Sequence, residues 1–435
     1  MQIKINTKTE IMWIVVALYL LKRYVIEVEM FFLLMAGVLA IYTLRKQAIS
    51  IPKIPGLWIY VALLGFMCVL GTINHPISLV ERDAFYEFYP VLYLFFGYYI
   101  FDYYRNHDKS IWKTVCLCLF ISTVVCLIRG VAEVSVGANF GMFRDAFSAE
   151  VQNISVIAPI LMCRTFLYKE ETFSKSKDLF LCLAWGAQML LNLSRVAIVN
   201  VFAGIIIMFL CGTISGKIKT KNYFRVFVMV AVLVAMGGLI FSVMPKDATD
   251  RLAEKIENTF TEINAKKTYG TSGDAQTDWR GYEIQCAQNQ WSKYSTMEQI
   301  FGKGNGTLIS IHYVPEAWKD TVEIQNQKLG VTILHNTYYT YLIKGGVLSI
   351  LILLYFIGAN LIRGVRRIKS QDKETIFWGI VLIAISLAIL TNAYVVRTMI
   401  SKGSEMMIII LVGWINARLN EPRNIGKTEV EMREV

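Results

Sequence analysis

The sequence predicts an all-α polytopic membrane protein with about twelve transmembrane helices. Hydrophobic residues make up 55% of its 435 residues, and only 18% are charged, fewer than the roughly 25% typical of soluble domains. Long apolar runs recur, such as VFAGIIIMFLCGTI at 201–214 and VFVMVAVLVAMGGLIFSVM at 226–244. Each approaches the roughly 20 residues that span a bilayer. Because lipid cannot hydrogen-bond with the backbone, these runs should form helices.

The apolar runs divide the chain into four parts. Residues 1–243 hold nine predicted helices, 244–346 form a large polar loop with interfacial helices, 347–417 hold three helices, and 418–435 are a tail. The predicted spans are 11–22, 28–44, 57–73, 84–104, 111–128, 151–168, 179–194, 196–214, 223–243, 347–363, 375–393 and 400–417. The short run at 11–22 leads straight into a second run, which favours a retained helix over a cleaved signal peptide.

Lysine and arginine set the predicted orientation. With the N-terminus in the cytoplasm, the inside segments hold about three times as many of these residues as the short outside segments. Both termini are therefore predicted to be cytoplasmic, and the loop 244–346 to lie on the extracytoplasmic side of the membrane. The net charge of +11 is then mostly a topology signal, so it does not indicate nucleic-acid binding.

Cysteine and metal patterns carry little functional signal. Seven of the eight cysteines lie in apolar segments, and no CxxC pattern or disulfide framework is visible. The exception is Cys286, which stands in the polar loop. Glu81 and Asp83 could form an acidic pair for a divalent cation, but Arg82 between them favours a local ion pair. No P-loop, GxGxxG or zinc signature is present.

The stretch LHNTYYTYLIKGG at 334–346 joins the polar loop to the next predicted span. Asn336 is a candidate N-cap for a short helix through 337–344, and the two following glycines should break or tilt that helix. His335 can be neutral near pH 7 and can take up a proton. The alternative is an interfacial histidine within the aromatic belt that the neighbouring tyrosines would form.

Arginines on the same predicted face are candidate anion ligands. Arg195 lies between two apolar runs with almost no loop, where a charge is costly and usually faces a cavity or a partner. A phosphate would suit its planar guanidinium, although it could also snorkel to the interface. Arg280 lies on a predicted loop helix that Thr277 or Asp278 could cap, and it could equally be a surface charge. Arg144 is a weaker candidate.

Three patterns follow one another on one predicted membrane face. The first is LNLSRVAIVNVFAG at 191–204, a Ser-Arg pair that opens a span rich in small residues. The second is DWRGYEIQCAQNQWSKYSTMEQIFGKGNG at 278–306, with an arginine, tryptophans and a Gly-x-Gly turn. The third is HNTYYTYLIKGGVLSILILLYF at 335–356. Taken in this order, the three patterns resemble the O-antigen ligase/polymerase family of bacterial inner-membrane glycosyltransferases. One difference is Lys344, where the family commonly has an acidic residue.

The resemblance implies a GT-C-like fold and a glycan donor carried on polyprenyl diphosphate. The glycan would pass to an acceptor sugar hydroxyl, without a nucleotide-sugar or another cofactor, by an inverting and metal-independent displacement. The developing charge on a diphosphate leaving group needs fixed cations, and Arg195, Arg280 and Arg144 are the candidates. His335 is the candidate catalytic base. Asn336, Tyr338 and Tyr339 are candidates for positioning the substrate.

Several functions share this predicted site. A polymerase of lipid-linked repeat units, for O-antigen or another surface polysaccharide, is the preferred interpretation, and it could work with a chain-length regulator. A ligase that moves a finished glycan to lipid A-core or protein is the alternative. A polysaccharide flippase is a third, although such transporters often show internal repeats, and none is visible here.

Overall fold

In the computed structural model of the chain, about 79% of the described residues are helical. The structure describes residues 28–46, 51–103, 108–135, 145–192, 194–216, 269–314, 323–325, 328–400 and 405–420, with isolated positions within 16–20 and 224–242. The elements are α1 (Val28–Lys46), α2 (Leu57–Asn74), α3 (Ile77–Tyr103), α4 (Asp108–Ser135), α5 (Val151–Phe166), α6 (Lys175–Asn192), α7 (Arg195–Ile214), α8 (Ser272–Thr277), α9 (Trp279–Trp291), α10 (Thr296–Phe301), β1 (Ile309–Ser310), β2 (Glu323–Gln325), β3 (Lys328–Val331), α11 (Thr337–Ile368), α12 (Lys373–Val395) and α13 (Met406–Asn420).

The long helices are those of a helical membrane protein. Ten predicted spans coincide with helices, and the remaining two, 11–22 and 223–243, lie mostly outside the described residues. Among the described residues, five helices are long and apolar enough to cross a membrane, namely α2, α7, α11, α12 and the 111–133 part of α4. Three shorter apolar helices accompany them. The total of twelve crossings stays a prediction.

Helix α12 lies at the centre of the helical bundle. Of its most apolar window, 78% is buried, compared with 33% for α2 and α7, so the latter two present apolar surface outwards, as lipid-facing helices do. Helix α12 packs against α11, α7 and α13. Helices α3 and α13 approach closely at two glycines, since a Cβ on Gly97 would lie 2.0 Å from the Ile410 carbonyl oxygen, and one on Gly413 2.2 Å from that of Leu94. Small residues at helix crossings are typical of membrane bundles.

The polar loop folds over the start of α11. Asp278 caps α9, as predicted, by accepting a hydrogen bond from the Gly281 amide at 3.2 Å. A small antiparallel sheet follows in the order β1-β3-β2, with Ile309 opposite Val331 and Ile324 opposite Leu329. This sheet is not predicted from the sequence. Its strands are two to four residues long, too short to show the alternation that identifies a strand.

Three glycines form a turn that wedges between two long helices. Residues 302–306, called here the glycine turn, hold Gly302, Gly304 and Gly306 at φ of +73°, +84° and +88°, which only glycine adopts readily. A Cβ on Gly304 would lie 2.2 Å from the Gly71 nitrogen in α2, and one on Gly302 would lie 2.1 Å from the Lys344 carbonyl oxygen in α11. The turn therefore needs glycine both for its backbone and for its close packing.

Candidate active site

His335 is held by a buried carboxylate. Its Nδ1 lies 3.1 Å from both carboxylate oxygens of Glu283, and its backbone amide donates to Glu283 Oε2 at 2.9 Å. The Glu283 side chain is 3% exposed, and that of His335 is 33% exposed. A carboxylate on Nδ1 favours the tautomer with its proton there, which leaves Nε2 as the basic nitrogen. The arrangement is that of a histidine base oriented by an acid.

Local contacts place Glu283 where it meets His335. The indole Nε1 of Trp279, one turn earlier in α9, donates to Glu283 Oε1 at 2.7 Å. On the same side of α9, Ala287 packs in one cluster with Leu334 and Ile343. The loop helix and the start of α11 therefore share a small core, and the carboxylate is fixed within it.

The residue after His335 begins α11 as predicted. The Asn336 side-chain oxygen accepts from the Tyr339 amide at 3.2 Å. Its Nδ2 is buried and has no hydrogen-bond partner among the described residues. Gly346, at φ +64° and ψ −166°, breaks the helix, again as predicted. Asn336 thus fixes the backbone beside His335 and keeps a buried donor near it, which suits the substrate-positioning prediction.

The two candidate tyrosines use their hydroxyls within the protein. Tyr338 donates to the Leu390 carbonyl of α12 at 2.8 Å. The Tyr339 hydroxyl accepts from Gln288 Nε2 of α9 at 2.7 Å. These contacts anchor α11 on both sides of the site. Their part in positioning a substrate stays a prediction.

The structure describes two of the three candidate arginines. Arg280 lies three residues before Glu283 in α9, so the two side chains project from the same face of that helix, and Arg280 is half-buried. Arg195 is the first residue of α7, where Ser194 caps the helix by accepting from the Ala197 amide. It is also half-buried. Arg144 lies outside the described residues.

Hydrogen bonds connect the helix of Arg195 with the helix that follows His335. Asn200 Nδ2, in α7, donates to Asn392 Oδ1 of α12 at 2.9 Å, and Asn392 Nδ2 donates to Glu405 Oε1 at 3.1 Å. The Thr398 hydroxyl donates to the same Glu405 oxygen at 2.9 Å, and the Thr337 hydroxyl donates to the Thr398 carbonyl at 2.6 Å. All five residues are buried. This chain fixes α7 and the start of α11 relative to each other.

A buried ion pair holds the part of α11 that lies just before its break at Gly346. Lys344 Nζ lies 2.7 Å from Asp83 Oδ2, and both side chains are 0% exposed. The same oxygen accepts from the Gly306 amide at 2.6 Å, and the neighbouring Asn305 donates to Glu87 Oε2 at 2.8 Å. The carboxylates of α3 therefore bind the glycine turn, and Asp83 also binds Lys344.

These contacts bear on the metal alternative raised by Glu81 and Asp83. The described residues contain no group of three or more histidine, cysteine or acidic side chains that could hold a metal ion. Asp83 Oδ2 instead faces Lys344, and Oδ1 lies 3.8 Å from Arg82 Nη2. The local ion pair expected from Arg82 is therefore present, together with a stronger partner from α11.

Sequence reasoning missed Glu283 as the partner of His335. The two residues lie 52 positions apart, and no local pattern signals such a contact. The pair of Lys344 and Asp83, by contrast, could have been predicted from the sequence. Each is a charge of opposite sign at the border of an apolar run, where an unpaired charge is costly.

Comparison with known proteins assigns no family to this chain. No protein-family model matches its sequence, and no curated protein matches it either. Its function must therefore be argued from the contacts of its own residues.

Proposed function

We propose that this chain is a glycosyltransferase of the bacterial inner membrane that uses a glycan linked to polyprenyl diphosphate. The proposal includes a GT-C-like bundle of about twelve spans, with both termini in the cytoplasm and the site on the opposite face. The observation that carries it is the Glu283–His335 pair, a half-exposed histidine oriented by a buried acid. Such a pair suits proton transfer from a hydroxyl.

In the proposed reaction, the acceptor hydroxyl oxygen attacks the anomeric carbon of the donor. A glycosidic C–O bond forms, and the bond between that carbon and the diphosphate oxygen breaks. The electron pair leaves with the diphosphate, and the hydroxyl proton passes to His335 Nε2. The anomeric configuration inverts. Glu283 keeps the imidazole in position and stabilises its charge after it takes the proton.

The proposed role of the arginines is to stabilise the diphosphate leaving group. Negative charge that develops on the diphosphate is stabilised by cations already fixed nearby. Arg280 is held on the same face of α9 as Glu283, and Arg195 on a helix fastened to the start of α11. Arg144 is the third candidate. A planar guanidinium can bind two phosphate oxygens at once.

Of the functions that could use this site, we propose polymerisation of lipid-linked repeat units. A ligase would use the same groups on another acceptor, such as lipid A-core or protein. A flippase would need no proton acceptor at a sugar hydroxyl, so the Glu283–His335 pair favours an enzyme. A chain-length regulator would be a partner of the polymerase.

The test compares a strain lacking this chain with strains complemented by wild type, His335→Ala or His107→Ala. His107 is the control because its segment is predicted to be cytoplasmic. We expect His335→Ala to slow polymer formation by about 10²–10⁴-fold, the range for general acid–base catalysis, and His107→Ala to behave as wild type. Surface glycans are separated on gels, and polyprenyl-linked glycans are identified by mass spectrometry.

The accumulated material separates the functions. Surface glycan that stops at one repeat unit supports the polymerase. Full-length polymer that stays on the polyprenyl carrier identifies a ligase instead. Lipid-linked units that accumulate on the cytoplasmic face indicate a flippase. A normal glycan profile with His335→Ala would contradict the proposed site.

A further inference from the structure

A second face of α9 lines a polar groove. The groove has a volume of about 940 Å³ and is open to the surface. Tyr282, Gln285, Cys286, Asn289 and Gln290 contribute its helical wall, and Lys293 follows the end of that helix. Successive residues of a helix are turned by about 100°, so Tyr282, Gln285 and Asn289 lie beside the face that holds Glu283. Neither His335 nor Glu283 is among the described residues that line the groove.

Hydrogen bonds make the groove wall rigid. The Tyr282 hydroxyl accepts from the backbone amides of His312 and Tyr313 at 2.6 and 2.7 Å. Gln290 donates to the Leu308 carbonyl at 3.0 Å and accepts from the Ser310 amide at 2.8 Å. These bonds join α9 to the strand opposite it, so the groove has a fixed shape before any ligand arrives. Such preorganisation lowers the entropic cost of binding.

The groove offers an aromatic ring and amides together. Tyr313 lines it with a partly exposed ring, alongside polar side chains such as that of Asn289, whereas Tyr269, Tyr282 and Tyr294 are at most 9% exposed. Aromatic rings combine an apolar face with a polar tip, and amides both donate and accept hydrogen bonds. A sugar ring presents C–H groups on its faces and hydroxyls at its edge, so it matches both kinds of group.

The charge of the groove is positive. Lys293 and Lys303 line it, and none of its described lining residues is acidic. Lys303 Nζ lies 4.6 Å from the centre of the Tyr294 ring and pairs with Glu298 at 3.2 Å, whereas Lys293 is exposed. Burial raises the pKa of Tyr282 and of Tyr294 to about 12, so both phenols stay neutral at physiological pH. The lysines thus favour an anionic ligand.

We propose that this groove binds an acidic glycan segment, a chain of sugars that carries carboxylates. The carboxylates would face Lys293 and Lys303, and a sugar ring would lie on Tyr313. The role of such a site in glycan synthesis rests on the proposed function, because a growing chain could be held there while its end reacts near His335. Binding itself needs no turnover and can be measured separately.

The experiment measures saccharide binding to the full chain in lipid nanodiscs by isothermal titration calorimetry. The probes are tetragalacturonate, which is acidic, and maltotetraose, which is neutral. We expect wild type to bind tetragalacturonate saturably and more tightly than maltotetraose. Lys293→Glu should weaken that binding about tenfold or more, since a charged hydrogen bond is lost and a repulsive charge is added, and Lys293→Arg should retain it. Lys175→Glu is the control, because Lys175 is 70% exposed, lies outside the groove and changes the net charge equally.

Each result decides the proposal. It is overturned if tetragalacturonate shows no saturable binding, if Lys293→Glu binds like wild type, or if Lys175→Glu weakens binding as much as Lys293→Glu. His335→Ala should bind tetragalacturonate like wild type. If His335→Ala binds tetragalacturonate like wild type and also supports normal glycan synthesis, the proposed catalytic site is refuted. The proposed binding of an acidic glycan in the groove is then unaffected.

Discussion

At the scale of single residues, the contact with the Glu283 carboxylate supports the proposed role of His335 as a base. Replacement by glutamine keeps the shape and an oxygen that can accept the Nδ1 proton, but removes the negative charge. We expect kcat to fall about 10- to 100-fold, the range found when a group that orients a functional histidine is removed. Because Glu283 is placed behind the histidine, KM should stay within about twofold.

The check is steady-state kinetics with purified protein and a lipid-linked donor. A change in KM with unchanged kcat would show that Glu283 acts in substrate binding and not through His335. Gln288→Ala is a suitable companion variant, since it removes a neighbouring α9 contact, the bond to the Tyr339 hydroxyl, and leaves the carboxylate in place. It should reduce kcat much less than Glu283→Gln.

The Lys344–Asp83 pair makes a prediction about stability. Lys344→Met leaves Asp83 buried without its cation, and breaking a buried pair in this way costs about 3–5 kcal/mol. The double variant Lys344→Met with Asp83→Asn removes both charges and keeps an oxygen for the Gly306 amide, so it should recover most of that loss. Unfolding in detergent, followed by fluorescence, measures the difference. If the double variant were as unstable as the single one, the charge would not be the cause.

At the scale of elements, the break in α11 depends on Gly346. Its φ of +64° is unfavourable for other residues, and a Cβ there would lie 2.3 Å from the Ile300 carbonyl oxygen. Gly346→Ala should therefore displace α10 or straighten α11, and either change shifts His335. We expect loss of activity and of thermal stability.

Gly358 offers a matched control in the same helix. A Cβ at this position meets nothing within 4 Å. Gly358→Ala should then stabilise the helix by up to about 1 kcal/mol, the difference in helix propensity. Activity and melting temperature of the two alanine variants are compared in one preparation. Equal activity and equal melting temperature of the two variants would mean that neither activity nor stability depends on the break in α11.

Local signals decided which elements could be predicted. The long helices follow from apolar length, and the caps at Asp278 and Asn336 and the break at Gly346 follow from residues within a few positions of each other. The sheet was missed because β1 and β3 pair over a separation in sequence that no short pattern records. Glu283 was missed for the same reason. Contacts between distant segments decide the candidate site, whereas hydropathy alone locates the membrane helices.

At the scale of the whole molecule, the proposed chemistry requires the loop to lie on the extracytoplasmic face. The argument for that orientation is the excess of lysine and arginine in the opposite segments. Two exposed lysines can test it, because their segments are predicted to lie on opposite sides of the membrane. They are Lys293 in the loop and Lys175 at the start of α6. Each is replaced by cysteine and treated with a maleimide that cannot cross membranes, with the wild-type chain as the background control.

The expected result is labelling of Lys293→Cys in intact spheroplasts and of Lys175→Cys only after the membrane is opened. The native cysteines that the structure describes are buried or half-buried, and burial raises the pKa of Cys286 in the loop, which lowers its thiolate fraction and its reactivity. Background labelling should therefore be weak. The reverse pattern would put His335 and Glu283 in the cytoplasm. A donor presented on the outer face could not reach them there, so the same residues would need another substrate.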